Sequence, residues 1–178
     1  LKNVLDETSF VCSVYLINDG SYDKTYNLIN EICAIDSRFI GIHLSKNFGH
    51  QYAVAAGLSV CDGTKGAMII DGDLQDPPEL IHQFYKLLEE GNDVVYAVRK
   101  NRKESFIKKL LYKLYYRLQK RISNFNIPID SGDFSMLSRR VVDTMNNMPE
   151  QSRYLRGMRA WVGYKQIAYE YDRDERHA

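Results

Sequence analysis

No apolar run in these 178 residues approaches the roughly 20 that a membrane-spanning helix needs, so no spanning helix is expected. Residues 1–7 lack both a basic n-region and an apolar core, which argues against a signal peptide there. The first residue is Leu1 rather than Met, which suggests a piece of a longer protein. Cysteine is scarce: Cys12, Cys33 and Cys61 are odd in number, widely spaced and without a Cys-x-x-Cys pair. That excludes a zinc ribbon and a disulfide framework, and leaves each thiol as a small apolar filler in a reducing compartment. Internal repeats and low-complexity linkers are absent too, and the length suits one domain. Acidic residues are nearly missing from residues 99–122, where ten Lys and Arg face the single acid Glu104. With a chain net charge of +1, that segment carries +9 and the remainder −8.

What is present alternates. Residues 10–17 are short, β-branched and aromatic, as a buried strand should be, and run into the turn Asn18-Asp19-Gly20-Ser21. Helical spacing follows over 25–35, a second strand over 39–44, a loop over 45–50 and an Ala-rich helix over 51–60. Residues 67–70 form a third strand that delivers Asp71 to its C-terminal end. Pro77 and Pro78 suit a helix's first turn, where a missing N–H costs nothing, and that helix should run to about Glu90. A fourth strand covers 93–98. Further on, 132–137 reads as a strand, 139–145 and 154–162 as helices, and 166–171 as a last strand. Such alternation predicts an α/β domain on a mostly parallel central sheet flanked by helices, with ligands at the carboxyl ends of the strands. Asp19 and Asp71 both lie just past strand ends and should share one cleft.

Two carboxylates one residue apart at a strand end invite a hard cation. Mg2+ or Mn2+ takes oxygen ligands and keeps room for substrate phosphates. Asp71 and Asp73 are the metal candidates, and Gln75 can add a neutral oxygen. Alone, Asp-x-Asp is also what a turn with solvated carboxylates looks like. The wider run Asp71-Gly72-Asp73-Leu74-Gln75-Asp76-Pro77-Pro78-Glu79 resembles the signature of family 2 glycosyltransferases that act on polyprenyl phosphates. Asn18-Asp19-Gly20-Ser21 with Asp23 and Thr25 is similar to that family's Asp-Asp-Gly-Ser loop, with Asn18 in place of its first Asp. Ser45-Lys46-Asn47-Phe48-Gly49 is similar to its Ser-Arg-Asn-Phe-Gly segment. Asp130, Gly132-Asp133-Phe134 and Ser138-Arg139-Arg140 match its acceptor-side motif.

The resemblance implies a GT-A (Rossmann-like) fold and metal-dependent, inverting transfer of a hexose from a UDP- or GDP-sugar to a polyprenyl phosphate. It implies that Asp19, Asp71, Asp73 and Arg99 bind the nucleotide sugar, with Asp73, Asp133 and Arg176 in the catalytic set. Asp133 then positions sugar or acceptor, because an anionic phosphate acceptor needs no strong general base. Residues 1–178 would form a single catalytic domain lacking the family's first strand, which ends in Pro-x-Tyr-Asn-Glu, and its C-terminal closing loop. Two other readings stay open at this point: a family 2 enzyme extending a surface polysaccharide, and a non-catalytic sugar-nucleotide-binding or membrane-docking module. In the basic stretch, Phe106, Ile107, Leu110, Leu111, Leu114, Leu118 and Ile122 follow helical spacing among the Lys and Arg. That pattern fits an interfacial helix on an anionic membrane surface, and equally a surface helix packed on the domain. A cytoplasmic protein, or one peripheral on the cytoplasmic face of a membrane, is expected. Nucleic acid is not an expected partner, and homo-oligomer formation is left open.

Overall fold

A computed structural model describes residues 1–73, 75–100, 131–150 and 153–172. The chain opens with helix α1 (Lys2–Glu7), strand β1 (Val14–Asn18), helix α2 (Thr25–Ile35), strand β2 (Phe39–His43), helix α3 (His50–Val60) and strand β3 (Gly66–Ile69). A 3-10 turn (Pro78–Leu80) leads into α4 (Ile81–Glu89) and strand β4 (Val94–Arg99). Strand β5 (Ser131–Ser138), helix α5 (Arg139–Asn146), helix α6 (Leu155–Trp161) and strand β6 (Gln166–Tyr171) follow. The basic stretch 101–122 and Arg176 lie outside the described residues. No helix among those described is long and apolar enough to cross a membrane.

Two expected elements change shape for local reasons. The strand expected from Phe10 begins at Val14, whose N–H takes up the carbonyl of Arg38 at 2.8 Å. Phe10 instead leaves the sheet and stacks on Tyr85, with ring centroids 4.2 Å apart. The helix expected from Pro77 starts later. Pro77 precedes a proline and sits extended at φ −71°, ψ 117°, Pro78 opens the 3-10 turn, and the α-helix proper begins at Ile81.

Strands β1 and β2 pair in parallel, from Val14 opposite Phe39 to Asn18 opposite His43. The larger sheet runs β3-β5-β4-β6. Strands β3, β4 and β6 run the same way, as expected of a mostly parallel sheet, and β5 alone is reversed, antiparallel to both β3 and β4. The cause is where β5 enters. Ser131 pairs with Val98 near the C-terminal end of β4, so the strand can only run back towards Val94.

Alternation of side chains divides the core between the two faces of this sheet. Val94 and Leu137 turn to one face with Leu58, Val141, Val142, Met145, Leu155 and Met158, and so meet α3, α5 and α6. Val95, Phe134 and Met136 turn to the other, against Phe84 of α4. Asp93, at the start of β4, is buried and held by Arg140 and the Ser138 hydroxyl. Strands β1 and β3 each have one strand neighbour among the described residues. Both line an apolar cavity of about 640 Å³, along with Leu5, Phe10, Leu58 and Tyr85. Asp19, Asp71, Asp73 and Asp133 are not part of its lining.

Candidate active site

The site is the polar end of the core face shared by α3, α5 and α6. On β3, Ala67 and Ile69 pack on that face, and their antiparallel partners on β5 are Leu137 and Ser135. Past the last pair, Ile69–Ser135, the two strands lead on to Asp71 and Asp133, which both lie within reach of His50. The same odd-numbered alternation that buries Leu137 therefore carries two carboxylates to the strand ends. A bulge helps to aim one of them. Between the Tyr96–Ser135 and Val98–Ser131 pairs, β4 advances two residues and β5 advances four. The extra length falls around Gly132–Phe134 and releases Asp133 from the ladder.

Like charges facing each other across strands repel, and the neighbouring helices supply the counter-charge. Helix α3 lays Val54 and Leu58 on the core, and one turn earlier its first residues, His50 and Gln51, reach the site. His50 Nε2 is 3.0 Å from Asp133 Oδ2 and 3.9 Å from Asp71 Oδ1. A carboxylate only accepts, so Nε2 carries the ring proton. Gln51 donates through Nε2 to Asp133 at 3.3 Å and accepts from the Leu155 N–H at 2.9 Å, tying α3 to α6. From α6, Arg156 grips Asp133 with a fork, Nε to Oδ1 at 2.8 Å and Nη2 to Oδ2 at 3.1 Å. The Asp133 side chain is only 7% exposed, and burial alone would raise its pKa. The hydrogen bonds and charges of Arg156 and His50 outweigh burial and hold it below the usual carboxylate range. A carboxylate so well satisfied is a poor proton acceptor and a good anchor.

Asp19 braces a loop. Its two oxygens accept from the Phe48 and Gly49 N–H groups at 2.7 and 2.8 Å. Gly20 makes this possible, with φ +65° and a backbone so close to Lys46 and Asn47 that a Cβ would sit 2.3 Å from the Lys46 carbonyl carbon. Buried Asn18 secures the turn from behind, accepting from the Ser21 N–H at 2.9 Å while its amide lies 3.2 Å from His43 Nδ1. An amide can serve both as donor and as acceptor, which a carboxylate cannot. Asp19 and Asp71 are thus linked through adjacent residues: Gly49 binds the first and His50 approaches the second.

Asp71 follows β3 and is half-buried; Asp73 accepts the Gln75 N–H at 3.1 Å, closing the turn between them. Burial is the main influence raising the Asp71 pKa, and the charges of Asp76, Asp133 and Asp73 push the same way against His50. A half-buried carboxylate with further carboxylates for neighbours is an arrangement a bound cation would relieve, and the oxygen donors suit a hard ion. No cage of three or more His, Cys, Asp or Glu ligands occurs among the described residues. A two-carboxylate site leaves coordination positions for phosphate oxygens and water. Asp76 is buried and accepts the hydroxyl of buried Tyr171 on β6. Tyr171 pairs in register with Arg99 at the end of β4, which brings exposed Arg99 to this side of the site.

Asp71, Asp73 and Asp133 are brought together, with Asp19 one loop away and Arg99 beside Tyr171. The matched Ser138-Arg139-Arg140 is not. Five strand residues, roughly 17 Å, separate Ser138 from Asp133, and the two arginines bind Asp143 and Asp93. His50, Gln51, Arg156 and Arg159 were not foreseen as site residues. The signal existed: His50 and Gln51 precede the stripe of Val54 and Leu58, and Arg156 and Arg159 share a short helix with buried Leu155 and Met158.

Residues 1–145 match the sequence profile described as "Glycosyl transferase family 2". The chain belongs to that family. It is 45% identical over its full length to "Uncharacterized glycosyltransferase YkcC" of Bacillus subtilis (strain 168), covering 55% of that protein. It is 36% identical to "Prophage bactoprenol glucosyl transferase homolog" of Escherichia coli (strain K12), over 96% of this chain and 56% of the relative. The figures for "Bactoprenol glucosyl transferase" of Shigella phage SfX are 36%, 93% and 54%. The chain therefore spans about half the length of the curated relatives it matches. With helices on both faces of its larger sheet, this family 2 chain is an α/β domain of GT-A type.

Proposed function

We propose that the protein transfers a hexosyl group from a UDP- or GDP-sugar to a polyprenyl phosphate, with inversion at the anomeric carbon. The observation that carries this is the meeting of Asp71, just past β3, and Asp133, on β5, about the single imidazole of His50, with Asp73 in the turn that follows. The names of the bactoprenol glucosyl transferase relatives supply the acceptor class. In this reading an acceptor phosphate oxygen attacks the anomeric carbon as the bond to the nucleoside diphosphate breaks. The phosphate is already anionic, so no strong base is required, in keeping with the low proton affinity of Asp133. Asp71, Asp73 and Gln75 would hold Mg2+ or Mn2+, which when bound neutralises charge on the departing diphosphate. Asp19 acts on the base or ribose side, and Arg99 and Arg176 take phosphate oxygens. Asp133 anchors the groups that position the acceptor.

The proposal extends to domain and location. One further strand seated between β1 and β3, and a C-terminal closing segment, complete the catalytic domain; support for the strand is the cavity that both edges line. The basic stretch 99–122 docks on anionic lipid where the acceptor lies. Calorimetric titration of UDP and GDP with Mn2+ tests the core of this reading. Asp71→Asn and Asp73→Asn should each abolish Mn2+-dependent nucleotide binding; unchanged binding in both overturns it. Full-length protein offered a panel of UDP- and GDP-sugars with polyprenyl phosphate then identifies the donor.

A further inference from the structure

Arg159 is the anomaly of the site. It is 4% exposed, yet its Nη2 is the one buried side-chain polar atom without a hydrogen-bond partner among the described residues. Its other contacts are weak: Nη1 donates to the Gly132 carbonyl at 3.5 Å, and the guanidinium lies 5.3 Å from the centre of the Tyr96 ring. Asp133 is close enough to favour its charge, but that carboxylate is already occupied by Arg156, His50 and Gln51. Arg156, three residues earlier on α6, repels it. Two guanidiniums thus share one carboxylate. Burial dominates at Arg159 and pushes its pKa down to about 10, the mark of a cation short of counter-charge.

We propose that Arg159 and Arg156 form a seat for a phosphoryl oxygen beside Asp133. A phosphate is acceptor-only and anionic, and so supplies the lone pair and the charge that Arg159 lacks. The glycine carbonyl and the tyrosine ring hold the guanidinium in place, while Asp133 orients Arg156 next to it. The seat rests on the transferase reading only for which phosphate it takes: that of a prenyl monophosphate acceptor or that of the nucleotide.

A buried charge kept for a ligand has a signature that a structural charge does not. In Arg159→Met the apolar stem is kept and the unmet charge removed, so Tm should hold or rise by about 2–4 °C. Affinity for geranyl phosphate, with geraniol as the uncharged control, should fall at least about tenfold in the same variant. Arg159→Lys, which keeps charge without the fork, should also bind more weakly. Mn2+–UDP and Mn2+–GDP are titrated in parallel in the full-length protein. A loss confined to geranyl phosphate assigns the seat to the acceptor, and a loss confined to the nucleotide assigns it to the donor. Absence of nucleotide binding in the unsubstituted protein sinks the transferase reading, while the seat is still tested with geranyl phosphate and inorganic phosphate. Unchanged affinity for every phosphate in both variants, or a Tm loss in Arg159→Met with binding retained, overturns the proposal.

Discussion

Replacing Asp133 by Asn changes one atom and should dismantle the junction between α3, α6 and β5. The carboxylate receives four nitrogens: Arg156 Nε and Nη2, His50 Nε2 and Gln51 Nε2. An Asn oxygen in the Oδ1 position keeps the Arg156 Nε bond. Its NH2 then faces the other three, donor against donor. Removing one partner of a fully buried ion pair costs about 3–5 kcal/mol. Here Asp133 is 7% exposed but Arg156 is 38% exposed and regains water. A cost just below that range, about 2–3 kcal/mol, is therefore expected. At about 2–4 °C per kcal/mol for a domain of this size, Tm should drop by about 5–10 °C.

The pH dependence of that deficit is the sharper test. Asp133 has its folded pKa depressed, so its stabilisation is present above the unfolded value of about 3.9 and is lost as pH falls through the still lower folded value. Thermal melts of parent and Asp133→Asn should differ by a constant amount from neutral pH to about pH 5 and converge only below about pH 4. Convergence already near pH 6 would mean that burial, not Arg156, governs this carboxyl, and the anchoring role would be wrong. Combining Asp133→Asn with Arg159→Met should recover part of the loss, because one stranded cation is removed with its partner.

Gly20→Ala places a Cβ 2.3 Å from the Lys46 backbone at a positive φ. The left-handed strain alone is about 1–2 kcal/mol, and the loop must shift, so nucleotide affinity should fall along with Tm. Equal stability and binding would refute the docked-turn description. Tyr171 has its pKa raised to about 12, by burial first and then by its bond to Asp76. A raised pKa gives stability that is full below about pH 10 and lost as pH climbs through about 12; Tyr171→Phe should flatten that alkaline loss in melts across the range. In the full-length protein, charge reversal at Lys108, Lys109 and Lys113 should weaken sedimentation with anionic vesicles and leave neutral vesicles unaffected. Equal sedimentation with both kinds of vesicle removes the interfacial role of the basic stretch.

Local patterns located most of the elements, because strand and helix periodicity depend on neighbours a few residues away. Strands β2, β3 and β4 and helix α2 lie within a residue or so of their expected bounds. The strand expected at Phe10 moved because pairing partners, not propensity, decide where a strand begins. The mostly parallel sheet was legible from the alternation of strands and helices; the reversal of β5 was not. Nothing in residues 132–137 distinguishes a parallel strand from an antiparallel one, since both bury alternate side chains here. Asp71 and Asp73 were readable from their own spacing. Arg156 and His50 were not, because each acts through a carboxylate more than twenty residues away.

The reversed strand is what builds the site. Were β5 parallel to β3, residues on a common face would diverge along the chain, and Asp133 would stand at the end opposite Asp71. Antiparallel pairing makes the two residue numbers converge, so that beyond the Ile69–Ser135 pair the strands lead to Asp71 and Asp133, which share His50. Convergence of two carboxylates is costly unless something cationic stands between or behind them. The chain answers from both sides, with His50 at the first turn of α3 and the Arg156–Arg159 pair on α6. Since these helices are fixed by the Leu58, Leu155 and Met158 contacts beneath them, the charges are placed by the core rather than by flexible loops. A phosphate arriving at this end of the sheet would meet donors whose positions have already been set by folding.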